Sequence, residues 1–144
     1  MNNIDTFKEF AAAFEEAVVD DNWARLKKYL AEDATYLNVG GPDPKCEGRE
    51  AIIAFLKGDV SNTDRRFDKR ILVALTQPIT EGNRLLRQWR CTYSLAETPD
   101  LVVEGEARYL FEEGLIKEIE EEVTSDAMQK VGDWMEKYGG RLHA

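Results

Sequence analysis

From Leu101 to Phe111 the side chains sort by alternation into two faces: Leu101, Val103, Gly105, Ala107, Tyr109 and Phe111 hold one parity, Glu104, Glu106 and Arg108 the other. A period of two is that of a strand with one buried face. Glu112-Glu113-Gly114 then supplies a short turn, with glycine where a positive φ is needed. The chain returns through residues 115–123, with Leu115, Ile119 and Val123 on one side and Glu118, Glu120 and Glu122 on the other. Glu121 departs from the pattern, because its parity places a carboxylate on the apolar side. A buried acid is costly unless paired or protonated, so this position marks a candidate site.

The first part of the chain has the helical period instead. Phe7, Phe10, Phe14 and Ala17/Val18 predict a helix over residues 5–19, with Thr6 and Glu9 fitting a capping box. Asn22 opens a second helix to about Leu30, with Trp23, Leu26 and Leu30 inside. A short strand, Ala34 to Val39, and a breaker-rich loop, Gly40 to Pro44, precede a third helix after Gly48, with Ile52, Phe55, Leu56 and Val60 as its stripe. Residues 67–77 and 84–95 predict strands joined by a turn at Pro78 to Asn83. Ser125 is expected to cap a last helix carrying Met128, Val131, Trp134, Met135 and Tyr138, which ends at Gly139-Gly140.

Three N-terminal helices followed by an antiparallel meander predict an α+β fold. The curved antiparallel sheet wraps the helices as a cone, because their apolar faces have nowhere else to go, and the C-terminal helix is added outside. Such wrapping leaves a cavity between sheet and helices, the default place for a ligand. At 144 residues with 43% hydrophobic content the chain suits a single domain, 1–144, with a core of about 5–124 and an appended helix at 125–138.

Composition narrows the chemistry. A net charge of −9 argues against nucleic acid and against an anionic membrane. No apolar run approaches a membrane span, and no export signal is evident, so a cytoplasmic location is expected with Cys46 and Cys91 reduced. The single histidine, His143, is the penultimate residue, which disfavours histidine-based catalysis and metal sites. No cofactor is implied. Acid–base work falls to carboxylates, tyrosine or lysine.

The segments EDAT after the second helix, G-R-E-A-I at Gly48 to Ile52 and F-E-E-G-L-I at Phe111 to Ile116 resemble the nuclear-transport-factor-two-like superfamily, in particular its SnoaL-like branch. The resemblance implies the cone-shaped fold, a small-molecule pocket and pairing into homodimers, and it spans residues 5–124. Activity in this superfamily lives in the site, not in the fold. Ketosteroid isomerases look similar around EDAT, but their aspartate base and their helix tyrosine correspond here to Asn38 and Phe14, so that chemistry is rejected. Limonene-epoxide hydrolases are a nearer match: their water-positioning Tyr-x-Asn resembles Tyr36-Leu37-Asn38, and their late-strand aspartate base matches Glu121. Their Arg-x-Asp general acid has no counterpart in RQWRCTY, although Arg87 or Arg90 keeps the arginine.

Glu121, Tyr36 and Asn38 are thus the candidate catalytic residues of a hydrolase or an isomerase/lyase acting on a small apolar molecule. Phe14 and Phe55 from the helices, and Arg87, Trp89, Arg90, Tyr93, Val103 and Tyr109 from the strands, are the candidate substrate-binding residues. Two assignments stay open for strand 84–95: parity turns Trp89, Cys91 and Tyr93 inward, whereas a gapless count from the hydrolases turns Gln88, Arg90 and Thr92 inward. Glu121 pairing with Arg87 or Arg90 as a structural ion pair, and Tyr36 serving as a core residue, are the bland alternatives. They go with a non-catalytic ligand-binding or structural dimer domain. Leu72, Leu86, Val102, Leu110 and Ile116 are expected on the outer sheet face, where they suggest a homodimer interface.

Overall fold

In the computed structural model the chain is described for residues 2–40 and 45–144. Helix α1 (Asn3–Asp20) leads into a 3₁₀ segment, Trp23–Tyr29, and then strand β1 (Leu30–Val39). Strand β2 (Lys45–Glu47) and helix α2 (Arg49–Asn62) follow, then a 3₁₀ turn at Asp64–Arg66. Strands β3 (Lys69–Ala74), β4 (Ile79–Glu81), β5 (Arg84–Ser94), β6 (Leu101–Glu112) and β7 (Leu115–Val123) complete the sheet, and helix α3 (Ser125–Tyr138) closes the chain.

The helices sit where the apolar periods predict, but local chemistry moves their ends. Asn2, not the Thr6–Glu9 pair, caps α1: its side chain accepts from the Asp5 N–H at 2.8 Å. Thr124, one residue before Ser125, caps α3 by accepting from the Ala127 N–H at 3.1 Å. The expected second helix is a 3₁₀ segment with no side-chain cap, and Leu30 belongs to β1. Of the expected loop Gly40–Pro44, residues 41–44 lie outside those described.

The sheet order is β2-β1-β7-β6-β5-β3, with β4 also on β5. All neighbours are antiparallel except β1 and β7, which run parallel, a correction to the wholly antiparallel meander expected. Strands so far apart in sequence have no hairpin to impose antiparallel pairing, and the intervening chain makes the crossover. The sheet is curved and open, and its inner face holds the helices. Between β6 and β7 only Glu113 and Gly114 intervene, at φ 53° and 81°, the two positive values of a type I′ hairpin.

A bulge corrects the parity of β7. Leu110 pairs with Glu118 while Phe111 pairs with Ile116, so Lys117 is the extra residue. It turns Ile116 inward, where it is fully buried, and not outward as strict alternation requires. Leu72 also lies inside, because it pairs with Cys91 on the inner face. The main core joins Phe7, Phe10, Leu26, Ile52 and Leu56 to the inner faces of β1, β6 and β7. A second cluster gathers Phe67, Leu101 and Val103 beneath Ala127 and Trp134 of α3, with Trp89 packed against both clusters. Among the described residues no helix is long and apolar enough to cross a membrane.

Trp134 anchors α3: its ring lies 5.2 Å from Phe67 and its indole donates to the Pro99 carbonyl at 2.9 Å. Trp134→Ala is expected to cost about 3–5 kcal/mol in urea denaturation. Residues 126–138 of that variant are expected to lose hydrogen-exchange protection. A midpoint that does not move would show that α3 is not docked through this residue.

Candidate functional site

Register across the inner face assembles the site. Asn38 pairs with Glu121, Glu121 with Ala107 and Ala107 with Arg87, so these four residues form one row across β1, β7, β6 and β5. Directly opposed residues share a face. In the adjoining row Tyr36 pairs with Ile119 and Ile119 with Tyr109. The small residues of β6 open the space between. At Gly105 an added Cβ would meet Trp89 Cζ2 at 2.5 Å and the Glu122 carbonyl at 2.7 Å, so only glycine lets the indole lie across the strand. The cavity left between sheet and helices measures about 340 Å³.

Trp89 uses that space to reach Glu121, donating from Nε1 to Oε2 at 3.2 Å. Glu121 keeps some accessible surface because it borders the cavity, yet its carboxylate is deep enough for desolvation to dominate. Burial raises it from the usual carboxylate range to about 7, opposed by the positive field of Arg87 and by the Trp89 hydrogen bond. Arg87 does not form an ion pair with it at contact distance among the described residues. Its guanidinium instead lies 5.2 Å from the Phe7 ring centroid, and its Nε is buried without a protein partner.

Tyr36 and Tyr109 flank the carboxylate and are 8% and 5% exposed. Burial, reinforced by the charge of Glu121, pushes both phenols above their ordinary value, so both stay protonated as donors. Neither hydroxyl has a protein hydrogen-bond partner among the described residues. Asn38 borders the same space.

At the other end of the cavity lies a cluster that the sequence pattern did not reveal. Arg70 binds Asp64 at 2.5 Å and both oxygens of Glu15 at 2.6 and 3.2 Å, and the Tyr93 hydroxyl donates to Asp64 at 3.4 Å. Desolvation pushes Asp64 upward, although Arg70 and Tyr93 oppose it. Asp59 also borders the cavity, where burial and the charge of Asp64 raise it as well. The available signal was parity: Arg70 and Leu72 share a face, and placing Leu72 outside placed Arg70 outside too.

Of the expected wall residues, Phe14, Arg87, Trp89, Tyr93, Val103 and Tyr109 border the cavity. Two do not. Arg90 is on the outer face, where it pairs with Glu104 at 2.7 Å, because odd positions of β5 turn inward. Phe55 packs against Tyr36, ring centroids 5.3 Å apart, and does not border the cavity. The same parity leaves Arg87 and Trp89 on the inner face and Gln88 and Thr92 off it.

This arrangement joins a carboxylate that titrates near neutrality to two phenol donors and an amide in a desolvated space. Comparison with known proteins gives the family. A model described as a SnoaL-like domain matches residues 10–119. No curated protein matches the sequence. Solved structures with the same fold include Bal32a from a soil-derived mobile gene cassette, 20% identical over 86% of this chain and 93% of that one, with a TM-score of 0.64. A proposed SnoaL-like polyketide cyclase from Jannaschia sp. CCS1 is 18% identical over 88% of each chain, with a TM-score of 0.66. TerC co-crystallised with polyporic acid is 12% identical over 89% of this chain and 98% of that one, with a TM-score of 0.65. Identities this low carry the fold alone, whereas the family match runs from the middle of α1 into β7, and the protein belongs to the SnoaL-like family.

Proposed function

We propose that the cavity binds a small, largely apolar carbonyl compound and that Glu121 moves a proton on it, an isomerase- or lyase-type reaction. The observation that carries this reading is one carboxylate poised near neutrality beside two phenol hydroxyls that border the same cavity and have no protein hydrogen bond among the described residues. Glu121 takes a proton from the carbon next to the carbonyl. The C–H electron pair becomes the C=C bond of an enolate, and the carbonyl π pair moves to oxygen. Tyr36 and Tyr109 donate hydrogen bonds to that oxygen and Asn38 orients the substrate, so enolisation rests on a base and donors other than the ketosteroid-isomerase pair, which Asn38 and Phe14 do not supply. Protonated Glu121 then returns the proton to the same or a conjugated carbon. Epoxide hydrolysis would need a second group to protonate the leaving oxygen, and β5 presents Arg87 and Trp89 there instead of an acid. A structural relative named as a proposed polyketide cyclase, and another crystallised with polyporic acid, support a small organic ligand.

Exchange of the α-hydrogens of a small aryl ketone in D₂O, followed by NMR, tests the reaction. Glu121→Gln is expected to slow enzyme-dependent exchange by about 10²–10⁴-fold. Tyr36→Phe and Tyr109→Phe are each expected to lose about 10²-fold, as for removal of an oxyanion donor. The wild-type rate should rise through about pH 7 and then level, as Glu121 ionises. Exchange in Glu121→Gln equal to wild type would leave a non-catalytic pocket protein.

The same carboxylate makes stability depend on pH. Its pKa is higher in the folded than in the unfolded chain, so between about 4.5 and 7 the folded state binds more protons and stability falls as pH rises. Glu121→Gln removes that penalty. It is expected to be more stable than wild type by on the order of 1–3 kcal/mol at pH 8, with the advantage vanishing near pH 4. Denaturation curves at the two pH values measure it, and an equal difference at both would rule out a desolvated Glu121.

We further propose a homodimer through the outer sheet face. Ile71 and Val73 are 45% and 44% exposed there, on the face that also carries Leu86, Val102 and Leu110. Light scattering is expected to give twice the monomer mass for wild type and the monomer mass for Val73→Lys. A wild-type monomer at micromolar concentration would refute the interface.

A further inference from the structure

We propose that the ligand of this cavity carries a basic nitrogen, its ammonium group seated between Asp59 and Asp64 while its reacting carbonyl lies at Glu121. The inference rests on the proton-transfer reading and names its substrate class. Four carboxylates line the cavity, Glu15, Asp59, Asp64 and Glu121, against two guanidiniums, Arg70 and Arg87. Arg70 is shared between Glu15 and Asp64, so one cation serves two anions. Asp59 has no basic partner among the described residues, and the charge it feels most is that of Asp64. Both residues also sit at the C-terminal end of α2, the negative end of its dipole, which adds potential of the same sign. This wall lacks one positive charge, and a ligand ammonium supplies it. Phe14, Trp89 and Tyr93 also border the cavity, aromatic surroundings that suit a cation.

An independent observation points to a ligand. The hydroxyls of Tyr36 and Tyr109 are on side chains more than nine-tenths buried, and they border the cavity without a protein acceptor. Phenol donors that border a cavity offer a ligand oxygen a hydrogen-bond partner. Asp59, Asp64, Tyr36 and Glu121 all border one cavity, so a single small molecule meets both ends of the site. A volume of about 340 Å³ agrees, at the lower end of small-molecule sites.

Three compounds of one shape test the charge: para-aminomethylacetophenone, para-methylacetophenone and para-acetylbenzoate. In calorimetric titrations at about pH 7.5, where the amine is protonated, it is expected to bind at least about tenfold more tightly than the neutral ketone, with the carboxylate weakest. Asp59→Asn, checked for an unchanged circular dichroism spectrum, is expected to bring the amine-to-neutral ratio below about two. Raising salt from about 20 mM to about 500 mM is expected to narrow that ratio in the wild type. A neutral ketone or carboxylate that binds as tightly as the amine, a ratio that Asp59→Asn leaves in place, or no amine binding at millimolar concentration overturns the proposal. Exchange at Glu121 without amine preference defeats this inference alone. Amine preference without exchange defeats the proton-transfer reading alone.

Discussion

A carboxylate enclosed in the concave face of a sheet, with no cation at contact distance, is the constraint around which this protein is arranged. Removing a charge from water is expensive, and Glu121 meets that cost in three partial ways. The Trp89 indole donates to it, Arg87 contributes field from two strands away, and the carboxyl rises to about 7 so that it is partly neutral at physiological pH. None of these satisfies it fully. A fully paired glutamate would be inert, whereas one left between its two protonation states can both take and return a proton.

The rest of the sheet follows from making room for that group. Gly105 and Ala107 on β6 sit in line with Trp89 and with the Glu121–Arg87 row, and their lack of bulk produces the void. Tyr109, two residues further along β6, narrows it again. The alternation of small and large residues on one strand therefore sets the cavity's shape. Loss of packing there is offset by the continuous core between the helices and the inner face of the sheet, from Phe7 through Ile52 to Phe111.

The two ends of the cavity differ in how completely their polar groups are satisfied. At the α1 and α2 end Arg70 is held by Glu15, Asp64 and, through Asp64, by Tyr93, a network with little freedom. The phenols at the opposite end have no such partners. A bonded cluster positions and discriminates, while unpartnered donors wait for a substrate atom. Under the proposed function, that asymmetry assigns recognition to the first end and proton transfer to the second.

Period and parity in the sequence were enough for the α+β class, for the central hairpin and its turn, and for the position of Glu121 on the apolar side of β7. Those properties are local: a two-residue period defines a face, and a misplaced carboxylate is visible against it. Pairing of Tyr36 with Asn38 on one face is likewise local, since residues two apart on a strand share a side. What lay beyond reach depended on register and on contacts between distant segments. Lys117 adds one residue to β7 and reverses Ile116, and no composition signal marks which residue bulges. The parallel pairing of β1 with β7 brings Asn38 beside Glu121 across more than eighty residues of chain. The face of β3, and with it Arg70, was decided by its pairing with β5, and Arg90 was turned outward by the same register. A strand carries its alternation in its own residues, but which side becomes the inside is settled only when the neighbouring strand and the helices are in place.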